Sequence, residues 1–365
     1  MNNSSSPSDY KIGQDNVTPF GLDIHNPVFL ISGLSILVFV LITLMFQTQS
    51  AEFFAWLRPA ITSTFDWLFL SAGNIFVLFA VVVCISPLGR VRLGGQEASP
   101  DYSYIGWFSM LFAAGMGIGL MFFGVSEPMS HFGASMGGIT LGENGIRTDW
   151  APLGAAAGDV NAAKNLAMAA TIYHWGLHPW AMYAVVALAL AFFSFNHKLP
   201  LTLRSAFYPL LGERVWGWPG HLIDIIAVFA TLFGLATSLG FGTQQALAGF
   251  SYLYDWGTGS VAIVVLITFI SAIAIASVIR GLDGGVKLLS ELNMALALIL
   301  LAFIFLVGPT KDIITTLFSS ATAYITEFIP LSMPFGREDT NFSQGWTSFY
   351  WAWWISWSPF VGMFI

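Results

Sequence analysis

Apolar runs long enough to cross a bilayer dominate this chain, and they leave few folds open to it. A segment in hydrocarbon must satisfy its own backbone amides, so such a run becomes a helix, and about twenty residues are enough to span. The runs fall at about 28–46, 67–85, 104–125, 166–195, 222–250, 260–279 and 288–307, and an eighth starts near Gly345. Only 9% of residues are charged and 56% are apolar, far from a soluble globular chain. The expected fold class is an all-α polytopic membrane protein. Between the seventh and eighth runs, Ile313, Ile314, Leu317 and Phe318 recur at helical spacing. That pattern predicts an amphipathic helix on the membrane surface, followed by a loop, over 309–344.

Other classes are poorly served. Net charge is −7 and spread over loops, so nothing favours nucleic acid. The single Cys84 excludes a disulfide framework or a cysteine metal site. An enzyme would need a convergent nucleophile, base or metal set, and none is evident. Residues 1–27 are polar and slightly acidic, without the basic start and cleavage site of a signal peptide. They read as a short, disordered cytoplasmic tail. Orientation rests on loop charge. Connections after the second, fourth and sixth runs carry Arg90, Arg92, Lys198, Arg204, Arg214, Arg280 and Lys287; the others carry Arg58, Arg147, Lys164, Lys311 and Arg337. By the positive-inside rule the amino terminus is cytoplasmic.

Three constellations carry chemistry. The first is Gly115-Met116-Gly117-Ile118-Gly119, inside the third run. Three glycines in five residues weaken a helix. They serve either close helix packing, through Gly115 and Gly119, or an unwound segment whose carbonyls hold a cation or substrate. The second is Trp175, Trp180 and Tyr183, with Pro179 between them. On one continuous helix Trp180 and Tyr183 share a face and Trp175 lies about 80° from Tyr183, so the three either curve around a ligand or pack against neighbours. His174 and His178 flank them at a spacing that also suits a metal, but structural or interfacial histidines fit better, since no third ligand is apparent. The third is the eighth run, with Trp346, Trp351, Trp353, Trp354 and Trp357. Membrane tryptophans gather at helix ends, yet Trp357 is roughly 16 Å deeper than Trp346 at helical rise. Deep indoles suit a cation that has no hydrogen bonds to offer. Trp353, Trp357 and Phe360 form one stripe, with Trp354 turned away. Glu127, Glu291 and Asp224 fall near run ends, so no carboxylate is placed to pair with a fixed positive charge. Finally, Gly106-Trp107-Phe108-Ser109 opens the third run and Gly345-Trp346-Thr347-Ser348 the eighth, an echo consistent with an inverted repeat.

These residues resemble the betaine/carnitine/choline transporter family over nearly the whole chain. The carriers are Gly115–Gly124, the segment from His174 to Tyr183, Leu199–Ala206 and, most specifically, Trp351–Phe360. The resemblance implies twelve transmembrane helices: two leading helices, then two five-helix inverted repeats. This chain would hold eight of them. Its divisions would be a tail at 1–27, the leading helices at 28–100, the first repeat at 101–308, the surface helix and loop at 309–344, and an incomplete first helix of the second repeat at 345–365. It implies an aromatic box of Trp175, Trp180, Tyr183 and Trp354 beside Gly115, Gly117 and Gly119. A cytoplasmic-side pathway would run along Trp353, Trp357 and Phe360. Ala113 and Met116 would give carbonyls to one sodium ion. Thr231 would serve a second, although its family partner falls on Leu235, which has no hydroxyl.

Choline-selective members carry an aspartate at the Gly119 position, and carnitine-type members tend to carry a serine. The implied activity is secondary uptake of glycine betaine or a related quaternary-ammonium or sulfonium osmolyte, sodium-coupled and without a cofactor. The implied setting is a homotrimer in the lipid of the plasma (bacterial inner) membrane. Family members continue through four more helices, so the chain is expected to be truncated at its carboxyl end. The alternative function is then a transport-inactive membrane fragment.

Overall fold

The computed structural model describes residues 7–115 and 117–365, most of them helical. The helices are α1 (Val28–Met45), α2 (Gln47–Thr64), α3 (Asp66–Ile85), α4 (Tyr104–Gly115), α5 (Ile118–Gly137), α6 (Val160–Trp175) and α7 (Leu177–Ala191). They continue with α8 (Trp218–Tyr254), α9 (Ser260–Ile279), α10 (Lys287–Val307), α11 (Thr310–Ser332) and α12 (Ser348–Phe364). Among the described residues, six helical segments are long and apolar enough to cross a membrane. The eight expected runs differ from these six at two places. The third divides into α4 and α5, and the eighth forms the 17-residue α12 behind a π-helical turn at Ser343–Thr347. The fourth also breaks, at Gly176, between α6 and α7. The amphipathic pattern after residue 309 is helical as expected, in α11. The two Gly-Trp tetrapeptides sit differently: the first lies inside α4, and the second spans the π-helical turn into the start of α12.

The chain forms two compact units. One comprises residues 1–99, 177–234 and 344–364; the other comprises 100–176, 235–343 and Ile365.

In the first unit, α7 packs against α3 and α12. Trp351 and Tyr350 of α12 are fully buried, alongside Met182 of α7 and Leu70 of α3. Small residues let these helices approach. A methyl group on Gly73 of α3 would sit 2.7 Å from Trp351 Nε1 and 3.1 Å from Met182 Cε. A methyl group on Gly362 of α12 would sit 2.8 Å from Val186 Cγ1 of α7. His178 ties α7 to α3 through Asn74 Oδ1 at 3.0 Å, and its ring stacks on Trp351 with centroids 5.3 Å apart.

The expected disordered tail is ordered from residue 7 and belongs to this unit. It forms a short hairpin that pairs Asn16–Val17 with Ile24–His25. Tyr10 stacks on Trp216 with centroids 4.3 Å apart, and Trp216 Nε1 donates to Ser8 Oγ at 2.8 Å. Aromatic burial thus offsets the entropy of ordering a polar segment.

In the second unit, α6 packs between α5 and α11, and α10 packs on α4. Two arginines pin its loops. Arg147 pairs with Asp149 at 2.6 Å and also donates to the Leu153 carbonyl; Arg337 pairs with Asp339 at 2.5 Å. Burial raises the Asp149 carboxyl, but hydrogen bonds from Arg147 and from the Thr140 and Ala151 amides outweigh it and bring it down to about 2.

Packing at Gly73 gives a direct test. Glycine is a poor helix former, so replacing it helps a helix by about 1 kcal/mol where there is room. At Gly73 there is none, and overpacking costs about 1–3 kcal/mol. Gly73→Val should lower the thermal unfolding midpoint in detergent. Gly33→Ala in α1, where an added methyl meets nothing within 4 Å, should leave it unchanged or raise it.

Candidate functional site

In the first unit, α7 and α12 bring Trp180, Tyr183 and Trp354 together. Tyr183 is edge-on to both indoles, with centroids 6.0 Å from Trp180 at 85° and 6.2 Å from Trp354 at 79°. Tyr183 and Trp354 are buried and Trp180 is half-buried. On the other side of Trp354, Trp353 stacks at 4.9 Å and Tyr350 at 5.6 Å. Perpendicular rings turn their negative faces in different directions, the arrangement that lets several rings contact one cation.

Trp175, expected beside them, ends α6 and belongs to the second unit. Gly176 breaks the helix after it with φ −95° and ψ −121°. The angular relation of Trp175 to Tyr183 read from a continuous helix therefore does not hold. The break needs glycine: a methyl group there would sit 2.6 Å from the Ile172 carbonyl oxygen.

Trp175 has a partner that the sequence hid. Its Nε1 donates to Glu127 Oε2 at 2.7 Å. Glu127 sits well inside α5, fully buried rather than at a run end, and its Oε1 lies 2.6 Å from His174 Nδ1 and 3.2 Å from His131 Nε2. The spacing of Glu127 and His131 is i, i+4 and was legible; the approach of α6 was not. His174 and His178 thus serve separate partners, Glu127 and Asn74, rather than one metal. Glu127, His131 and His174 offer ligand atoms within 4.8 Å of one another. Their closest separation is nevertheless a hydrogen bond, since tetrahedral ligand bonds of ~2.0–2.1 Å keep donor atoms ~3.3 Å apart.

The glycine run breaks its helix as well. α4 ends at Gly115, Gly117 is extended, and α5 restarts at Ile118, so Gly119 lies in the first turn of a new helix. Of the open alternatives, the backbone takes the interrupted one. Ala113 lies in α4, and Met116 falls outside the described residues.

Comparison with known proteins matches residues 27–365 to the betaine/carnitine/choline family of transporters. The chain belongs to that family. It is 63% identical over 362 residues to a glycine betaine/proline/choline transporter of Vibrio parahaemolyticus, covering 98% of this chain and 65% of that protein. It is 52% identical over 365 residues to glycine betaine transporter 1 of the same organism, covering 99% of this chain and 66% of that protein. A high-affinity choline transport protein of Escherichia coli is 39% identical over 344 residues, covering 93% of this chain and 48% of that protein. The chain thus spans about two thirds of the length of the first two relatives. This coverage supports neither the expected truncation nor the reading as an inactive fragment. Membership in a transporter family, rather than an enzyme family, agrees with the absence of a catalytic set in the sequence. With six apolar helical segments, it makes this an integral membrane protein.

Two residues implied by the family likeness meet in the first unit. Thr231 of α8 and Phe360 of α12 line one cavity of about 590 Å³. Phe360 packs on Trp357 with centroids 4.7 Å apart, and Trp357 fills space that a side chain at Gly234 would occupy. Trp353, one turn before Trp357 on the same helix, stacks on Trp354 with centroids 4.9 Å apart. The other wall of the cavity includes Tyr10, Ile12, Gly13, Asn16 and His25. The ordered amino-terminal segment therefore lines it, a role invisible in a polar sequence.

Buried Arg204 holds that segment. Its Nε is 3.0 Å from Asp224 Oδ2, its Nη2 donates to His25 Nε2 at 3.0 Å, and its guanidinium lies over the Tyr10 and Trp216 rings. His25 Nδ1 in turn donates to Asn16 Oδ1 at 3.2 Å. Burial, then the Arg204 charge, lowers the His25 pKa, with Asp15 opposing. The docked histidine is therefore neutral, while the released one protonates below its ordinary value of about 6.5. Docking is complete above that pH and weakens as pH falls through it. Trypsin cleavage after exposed Lys11, normalised to a free peptide of the same residues, should rise at least ~3-fold between pH 7.5 and 5.5. His25→Gln should flatten that dependence, and an unchanged pH profile in the variant would refute the assignment.

Proposed function

We propose that this protein carries out secondary active uptake of glycine betaine or a related quaternary-ammonium or sulfonium osmolyte. The observation that carries this reading is the perpendicular packing of Trp180, Tyr183 and Trp354 in a chain of this family. A trimethylammonium group has no hydrogen to donate, so aromatic faces are its natural partners. Trp175 completes the box by family likeness, and Trp353, Trp357 and Phe360 form the path on the cytoplasmic side. Sodium is the coupling ion on the same grounds, with Ala113 and Met116 at one ion and Thr231 at another. Leu235 offers no hydroxyl to the second ion, so Thr231 lacks its family partner there. The protein works as a homotrimer of inverted-repeat subunits in the bacterial inner membrane, with its amino terminus in the cytoplasm.

The headgroup preference rests on Gly119. The first turn of a helix has N–H groups without intrahelical acceptors and a positive dipole end. Gly117 and Gly119 put no side chain over that turn, and Gly115 ends the helix before it, so the carboxylate of a zwitterion can reach the free N–H groups. An aspartate there would repel such a carboxylate and attract choline, a net cation. The relative with 63% identity bears choline as well as betaine in its name, so the preference is one of degree.

Two experiments test the reading. Each cation–π contact is worth roughly 0.5–2 kcal/mol. Trp354→Leu should therefore weaken glycine betaine binding about two- to thirtyfold, Trp354→Phe less, and Trp346→Leu hardly at all. Equal losses at positions 354 and 346 would indicate general packing damage and defeat the box. In competition uptake the protein should favour betaine over choline, and Gly119→Asp should reverse the order. Choline favoured with Gly119 in place would defeat the headgroup argument.

A further inference from the structure

A fully buried carboxylate inside an apolar helix is costly, and in a membrane such a residue carries function by default. Glu127 is 0% exposed, and three rings converge on it. His174 Nδ1 and His131 Nε2 approach one oxygen, and the indole of Trp175 approaches the other. An indole N–H can only donate, so Oε2 is the acceptor in that bond. The two histidines are themselves packed in place: His174 stacks on Phe342 with centroids 5.6 Å apart, and His131 meets the same ring edge-on at 5.2 Å. The carboxylate thus has a fixed position, and Trp175 is held to it from the last turn of α6, beside the break at Gly176. On its other flank the indole meets Phe123 at 6.2 Å.

Two consequences follow for Trp175. Its ring orientation is fixed in part by a short, charge-assisted bond, the 2.7 Å contact from Nε1 to Glu127 Oε2. A carboxylate drawing on the indole proton also shifts electron density into the ring, and a richer ring attracts a cation more strongly.

We propose that Glu127 is a positioning residue for the cation site: it fixes the Trp175 indole through the Oε2···H–Nε1 bond and strengthens its face, while His131 and His174 hold the carboxylate. The proposal rests on the reading of Trp175 as a wall of the aromatic box. It adds a carboxylate that acts on the substrate through a tryptophan, without contacting it.

The test is a double-mutant cycle on the protein in nanodiscs, with glycine betaine binding measured by calorimetry. Glu127→Gln and Trp175→Phe should each weaken binding by about tenfold, and the double variant should bind within twofold of Trp175→Phe. Ultraviolet resonance Raman difference spectra against Trp175→Phe report the hydrogen bond at that indole. Its N–H signature should shift toward a weaker bond in Glu127→Gln, whose neutral amide oxygen is the poorer acceptor. Replacing Trp175 by 3-benzothienylalanine removes only the N–H and keeps Glu127, so it covers the case in which Glu127→Gln fails to fold. That variant should also lose about tenfold. Binding within twofold of wild type in either Glu127→Gln or the benzothienyl variant would overturn the proposal, as would losses that multiply in the double variant. Unchanged binding in Trp175→Phe would instead remove Trp175 from the box. It would overturn the reading beneath the proposal, even if the Raman signature still showed Glu127 holding the ring.

Discussion

Inside a bilayer no water takes up a freed backbone amide, so every interruption of a spanning helix must be compensated by protein. Among the described residues, two of the expected apolar runs break into two helices, and both breaks fall among the residues that the family likeness assigns to substrate and ion. One lies between α4 and α5 at Gly117; the other lies between α6 and α7 at Gly176. The second is partly satisfied locally, since the Gly176 amide donates to the Ile172 carbonyl at 2.7 Å. The breaks lie beside Gly119 and Trp175, which the family likeness assigns to the substrate site.

The same constraint explains how charge is handled. Glu127, Arg204 and Asp224 all lie within or against apolar helices, and each is engaged by named partners. Glu127 is met by ring N–H groups, which suits a carboxylate whose role is to orient an aromatic side chain. Arg204 is met by Asp224, His25 and two aromatic faces, which suits a clamp on a flexible segment. The two clusters differ in kind. The groups that meet the Glu127 carboxylate come from α5 and α6, whereas those around Arg204 are as far apart in the chain as Tyr10 and Asp224. Deleting Asp224 would leave the buried Arg204 guanidinium without its counter-ion, a loss larger than the value of the intact pair.

Glycine and tryptophan work as complements in the first unit. Trp351 occupies the space left by Gly73, and Trp357 that left by Gly234. Large indoles on α12 can then sit deep among helices without forcing them apart. Small residues let membrane helices approach closely where no hydrophobic effect drives them together. The aromatic cluster is therefore built into the helix packing, and its rings keep fixed mutual angles.

Much of this was legible in the sequence. Apolar run length determined the helices α1, α3, α8, α9 and α10, because the thickness of hydrocarbon leaves a helix no shorter option. Glycine spacing marked the break between α4 and α5, and the aromatic strings identified Trp180, Tyr183 and Trp354. Tertiary structure decided the rest. Helical phase placed Trp175 with Tyr183, but the break at Gly176 removes any phase relation across it. Glu127 read as a run-end carboxylate because its partners come from α6, 47 and 48 residues away. The amino-terminal segment read as disordered because its composition is polar. Its order comes from Trp216 and Arg204, some two hundred residues distant, and no local pattern encodes a contact at that range.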